Sequence, residues 1–298
     1  MVAKSASRFS TFSILNYTVF ALFTLACIFP FYYLFINTIS NNDWSSRGLV
    51  MFYPKGIHFD NYVQVFKIPG LGRAVFVSIA RTVLGTALTV AVSAFLGYLF
   101  TKNEMWGRKF WYRSLMITMY FNAGLIPWYI TMLHLGLVNN FLAYILPGIV
   151  APFYIILVKT FVESTPVALQ ESAQIDGAGY LTIFSKIVVP LIMPILATIA
   201  IFAAVTQWNS FTDTLFLVTD GKLFTLQFIL YRYMNEATSL AQLMKSAQGG
   251  GSINLANMQT STSIRTTVSM IAITPILLVY PFFQRYFVKG ILIGAVKG

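Results

Sequence analysis

The residues whose types and spacing point to chemistry with a partner are gathered between Glu171 and Pro194, in the stretch ESAQIDGAGYLTIFSKIVVPLIMP. Glu171 offers a carboxylate that an arginine fork can hold with two parallel hydrogen bonds. Asp176-Gly177 reads as a helix stop, because glycine takes the left-handed backbone that a helix end often needs. Ala168, Ser172, Ala173 and Ala178 are small enough for a close-fitting surface to approach. This is the chemistry of recognition, with no bond made or broken. Thr165 is expected to cap the helix, with Pro166 at its first position, and a second short helix, YLTIFSKIVV, leads to Pro190. An ordinary solvated connector is the plain alternative, and the residue types alone leave both open.

Enzyme chemistry has no comparable cluster. Acid–base or metal catalysis needs grouped carboxylates, His or Cys, whereas His58 and His134 lie in separate segments and the nine acids are scattered. There is no G-x-x-x-x-G-K-[ST] phosphate loop, and the nearest fragment, Gly221-Lys222, lacks the preceding glycines. Any energy for uphill work must come from another subunit.

The elements that position this loop are membrane helices. The chain is 57% hydrophobic and 10% charged, with mean hydropathy +0.72, where an ordinary soluble domain carries about 25% charged residues. A charge at the bilayer centre costs roughly 2.5–3.5 kcal/mol, so charge-free gaps mark crossings. Six spans are expected, at about 14–36, 74–100, 114–133, 141–158, 190–209 and 266–285, making an all-α membrane protein of one domain, 1–298. Arg81, the lone charge inside a span and close to its end at Arg73, is expected to snorkel to an interface. Cys27 falls mid-span as a small buried apolar residue and, being the only cysteine, makes no intrachain disulfide. The first apolar run is longer than a signal-peptide core and lacks a cleavage site before NNDW, so it reads as a retained helix.

Lys and Arg near span ends set the orientation. Lys4, Arg8, Lys102, Arg108, Lys109, Arg113, Lys159, Lys186, Arg285, Lys289 and Lys297 share one side, and the opposite segments are poorer in basic residues. Both termini and the loop 163–189 are therefore expected in the cytoplasm, with 37–73 and 209–264 as compact outer loops. The net charge of +11 is explained by cytoplasmic loops facing anionic lipid and calls for no nucleic acid. The basic-aromatic run WGRKFWYR at 106–113 reads as an anchor of the same kind.

A polar solute path would draw on polar and aromatic side chains within spans: Tyr120, Asn122 and Trp128, then Gln207, Trp208 and Asn209. Trp faces stack on sugar rings and amides bond sugar hydroxyls. The same residues also serve as interfacial anchors and helix-to-helix glue, and both readings stand.

The run from Glu171 resembles the EAA loop of permease subunits in binding-protein-dependent ATP-binding cassette (ABC) importers. Glu171, Ala173, Gly177, Ile187 and Pro190 match that pattern in identity and spacing, with Ser172 for the middle Ala and Val189 for the usual Leu. IDGA at 175–178, FDNYVQVF at 59–66 and the ending QRYFVKGILIGAVKG are similar to the second permease of carbohydrate importers of the maltose type. The resemblance implies a type I ABC importer transmembrane domain in a bacterial cytoplasmic (inner) membrane. It implies that the segment after the Gly177 turn is a coupling helix seated in a cleft of an ATPase, with Glu171, Ser172, Ala173, Asp176, Gly177, Ala178, Ile187 and Pro190 as the coupling residues. It also implies a C-terminal tail, Lys297 and Gly298, that reaches the ATPase, and a loop at Gln248, Gly249, Gly250 and Gly251 that approaches a binding protein. Its partners would be a different permease, two ATPase subunits holding ATP and Mg, and an extracytoplasmic sugar-binding protein, with no cofactor on this chain. A secondary carrier or passive channel for a small polar solute is the alternative. A carrier normally places acids or His inside the membrane, and a channel leaves the Glu171 to Pro190 pattern without a purpose.

Overall fold

The computed structural model describes residues 11–235 and 261–295, so Gln248 to Gly251, Lys297 and Gly298 lie outside the described residues. Among the described residues every regular element is helical. The chain divides into two compact units: residues 1–68 with 233–273, and 69–232 with 274–298.

In the first unit, α1 (Thr11–Thr38) is a helix of 28 residues, about 42 Å long at 1.5 Å per residue, enough to cross a bilayer. Its spanning window is only 6% buried, and Cys27 on it is exposed. The expectation of a buried Cys27 is corrected: an apolar residue in a span is buried only where its own chain covers that face. After α1 the chain folds through α2 (Asn42–Ser46) and α3 (Asp60–Phe66). Irregular backbone leaves polar groups to satisfy, and short polar side chains satisfy them. Asn61 Nδ2 donates to the Thr38 carbonyl and to Asn42 Oδ1, both at 2.9 Å, and Ser45 Oγ donates to Asn37 Oδ1 at 2.7 Å.

In the second unit, α4 (Leu71–Leu99) is the central helix. It packs against α7 (Pro152–Glu163) and α11 (Met193–Asn209). Gly97 allows the approach to α7, since a Cβ there would stand 2.6 Å from Val158 Cγ1. Ala94, Tyr98, Val158, Val162, Ile183, Val188, Ile192 and Ile199 form the core of this packing.

The expected span 114–133 is not one helix. It is divided into α5 (Arg108–Tyr120) and α6 (Leu125–His134), because Phe121 is extended and Gly124 has φ +86°. Asn122 Oδ1 accepts from the Gly124 N–H at 2.9 Å, closing the turn. The charge-free reading missed this because an Asn-x-Gly turn carries no charge. The expected span 141–158 is likewise composite: 3-10 turns at Phe141–Tyr144 and Leu146–Gly148, then α7 after a bend of 45°. A further bent pair, at 79°, joins Tyr180–Leu191 to α11. Three described helices, at Phe12–Thr38, Leu71–Leu99 and Thr262–Val279, are long and apolar enough to cross a membrane, or up to five if each bent pair is one span. The last lies in α13 (Ser261–Ala295), which contains Pro275 and Pro281.

Candidate functional site

The loop after α7 folds as two helical pieces. Thr165 does not cap the first: its Oγ1 donates to the Val162 carbonyl at 2.6 Å, closing the end of α7. A hydroxyl can serve the helix behind it as readily as the one ahead, and Pro166 separates Thr165 from the next helical turn. The helix proper, α8, runs Ala168–Ile175 and ends at Asp176. Gly177 has φ +81°, its N–H donates to the Gln174 carbonyl at 3.0 Å, and the Ala178 N–H donates to the Ala173 carbonyl at 2.9 Å. These are the two bonds of a Schellman helix end. Then α9 (Tyr180–Ile183) widens into a π-turn at Phe184–Val188, where the Val189 N–H reaches the Phe184 carbonyl, and α10 (Val189–Leu191) follows. Pro190 has no N–H with which to continue the ordinary ladder.

The two faces of this loop differ. Glu171, Ser172, Asp176, Gly177 and Pro190 are exposed and Ile187 is half-buried. Ala173 and Ala178 pack on the chain's own core beside Tyr98 and Ile183, so of the four small residues only Ala168 and Ser172 face outward. That corrects the expectation that all four leave room for a partner. Ile175 is 86% exposed and Leu181 69%, apolar surface on a polar loop that a protein partner would cover. The inner face is tied to the end of α4. Lys102 Nζ donates to Gln170 Oε1 at 2.7 Å and lies over the rings of Tyr98 and Tyr180 at 4.6 and 5.8 Å. Burial pulls the Lys102 ammonium below the usual lysine range, partly countered by Glu104.

The second cluster lies further along α4. Arg81 is 2% exposed and does not snorkel. Its Nη1 and Nη2 meet Asp213 at 3.2 and 2.6 Å, its Nε and Nη2 reach Gln207 Oε1 at 3.2 and 3.0 Å, and Nη1 also donates to the Ser210 carbonyl at 3.3 Å. The guanidinium stacks 4.6 Å from the Tyr144 ring. A fixed fork whose donors are all engaged inside the protein is more favourable than an extended side chain seeking water. Asp213, on α12 (Thr212–Leu217), and Tyr144 were absent from the sequence candidates. An arginine inside a span calls for a partner, and Asp213, six residues after Gln207, was the carboxylate to test.

The six path candidates do not form one group. Gln207 joins the Arg81 cluster, Trp208 is buried beside it in sequence, and Asn209 Oδ1 accepts from Gln227 Nε2 at 3.5 Å. Trp128 packs with Met132 and Tyr144, whereas Tyr120 is 82% exposed and Asn122 serves the turn before α6. An apolar cavity of about 380 Å³ opens between Val75, Ile79 and Thr82 of α4, Ala204 and Trp208 of α11, and Ile276 of α13.

The described residues thus combine apolar helices long enough to span a membrane with a polar loop whose exposed face carries a carboxylate and apolar side chains. The polygalacturonan/rhamnogalacturonan transport system permease protein YtcP of Bacillus subtilis (strain 168) is 33% identical to the chain over 287 residues, covering 96% of this chain and 98% of that protein. Protein LplC of the same organism is 35% identical over 271 residues, covering 91% and 90%. The crystal structure of a bacterial ABC transporter involved in import of the acidic polysaccharide alginate matches with TM-score 0.79 and 27% identity, covering 96% of this chain and 100% of that one. No family model matches the chain. The chain belongs to the family of permease subunits of sugar ABC transport systems.

Proposed function

We propose that this chain is one of two different permease subunits in an ATP-driven importer of oligosaccharides, working with two ATPase subunits and an extracytoplasmic sugar-binding protein. Kinship over 98% of a sugar-transport permease carries the reading. ATP and Mg belong to the ATPase subunits, and this chain supplies the path and the coupling surface. It crosses a bacterial cytoplasmic membrane six times with both termini inside. Residues 163–189 then face the ATPase as the coupling loop. Glu171 pairs with a basic residue there, Ile175 and Leu181 supply apolar contact, and the Gly177 turn sets the angle between α8 and α9. Closure of the ATPases around ATP draws the coupling helices together and rocks the spans between inward-open and outward-open states.

We further propose uronate-containing oligosaccharides as the substrate class. The support is the acidic sugar polymers named for YtcP and for the alginate importer. The basic residues of the outer segments outnumber the acids there, Asp43, Asp60, Asp220 and Glu236, which agrees with it in sign. The test is reconstitution of the complete importer in proteoliposomes with its binding protein. ATP-dependent uptake of oligogalacturonides, abolished when the ATPase is omitted, is the expected result. Uptake without ATP would favour the carrier or channel reading, and ATP-driven uptake of neutral oligosaccharides alone would sink the acidic substrate.

A further inference from the structure

The bond between Lys102 and Gln170 joins the end of a membrane helix to the inner face of the loop. Lys102 follows α4 by three residues, and Gln170, 68 positions later, lies in the first turn of α8. Gln170 is 8% exposed although it is a polar residue on a loop helix, so its amide is held inward. Its Oε1 receives the ammonium at 2.7 Å, while the rings of Tyr98 from α4 and Tyr180 from α9 flank the same ammonium. One cation therefore touches all three elements that must move together if the loop is to drive α4. An ammonium has three donors and no ring to wedge in place, so the direction of the contact is set by its neighbours. A charge-assisted bond with cation–π contacts resists being pulled apart more than a neutral pair does.

We propose that Lys102 is a positioning residue for coupling: it fastens α8 and α9 to the end of α4, so that displacement of the loop by the ATPase is delivered to the helix that holds Arg81. The inference rests on the reading of 163–189 as the coupling loop. The contact is also one-sided. Glu171, next to Gln170, is exposed on the outer face, so one turn of α8 gives its outer side chain to the ATPase and its inner one to α4.

The test uses the complete importer in nanodiscs, with no sugar required. Backbone hydrogen exchange is followed in residues 168–175 and 96–104, with and without Mg-ATP plus vanadate. In the parent protein both segments should change on nucleotide trapping. In Lys102→Met the α8 response should persist and the 96–104 response should fall at least threefold; Lys102→Arg should restore most of it. Gln170→Met is the second variant should Lys102→Met fail to assemble, and the double variant should lose no more than either single one. An undiminished 96–104 response in the Met variants overturns the clamp while leaving the coupling loop intact. No response of α8 in the parent protein overturns the coupling-loop reading and the clamp with it.

Discussion

Arg81 Nη2 lies 2.6 Å from Asp213 Oδ2, a pair formed across 132 positions of sequence with Arg81 almost wholly buried. The pair is one of several polar ties from α4 to the segment beyond α11. Arg73 Nε donates to the Lys222 carbonyl at 2.9 Å, and the Leu226 N–H donates to Ser78 Oγ at 2.8 Å. Positions 73, 78 and 81 are thus a row of fasteners on one helix. They fix residues 207–226 to α4.

Removing one member of a buried pair leaves the other charge unmatched, which costs about 3–5 kcal/mol. Arg81→Met and Asp213→Leu should each lower the thermal unfolding midpoint of the purified importer markedly. The double variant should be less destabilised than either, because no orphan charge remains. A double variant that loses the sum of the two single losses would show that the pair is not coupled.

Glu171 is exposed and makes no ion pair among the described residues, so its removal leaves the fold of the chain unstrained. Glu171→Gln should insert and assemble with the second permease, yet lower ATP hydrolysis stimulated by the loaded binding protein at least tenfold. The assay is hydrolysis by the reconstituted importer, with the amount of co-purified ATPase measured beside it. Full stimulation in Glu171→Gln would remove this carboxylate from the coupling surface.

Gly177 isolates a backbone effect. A Cβ there meets nothing within 4 Å, so the whole penalty of Gly177→Ala comes from the +81° φ, roughly 1 kcal/mol. Transport by Gly177→Ala should fall severalfold, and Gly177→Asn, which tolerates this conformation better, should be milder. An Ala variant as active as the parent would mean that the angle between α8 and α9 is set elsewhere.

Membrane sidedness can be read from single cysteines in a Cys27→Ser background. Asp176→Cys should react with an impermeant maleimide only after the cytoplasmic face is opened, and Lys55→Cys should react in intact cells. In the parent protein Cys27 itself should react with a lipid-soluble maleimide and not with the impermeant one, since it is exposed on a helix long and apolar enough to cross a membrane. The opposite pattern for Asp176→Cys and Lys55→Cys would invert the proposed topology.

The sequence was most legible where one physical rule dominated. Apolar length placed α1 and α4, and the Asp176-Gly177 stop was read correctly because few residues other than glycine adopt φ near +81°. Legibility ended where two rules competed. Absence of charge suggested an unbroken helix at 114–133, but Asn122 and Gly124 make a turn that hydropathy does not register. For Arg81, the tendency to snorkel lost to a carboxylate and an amide supplied by residues far along the chain, a contact that only the tertiary fold creates. Lys102 looked like one more cytoplasmic anchor for the same reason. Its partner Gln170 carries no charge to advertise the pairing.

The bareness of α1 reaches back to how the protein is made. The spanning window of α1 has a mean hydropathy of 2.2, so its own side chains favour partition from the translocon into lipid. It can leave the ribosome, enter the bilayer and wait there as an independent anchor while the later helices are synthesised. Its aromatic flank of Phe20, Phe23 and Phe31 then remains available for whatever it meets in the plane of the membrane.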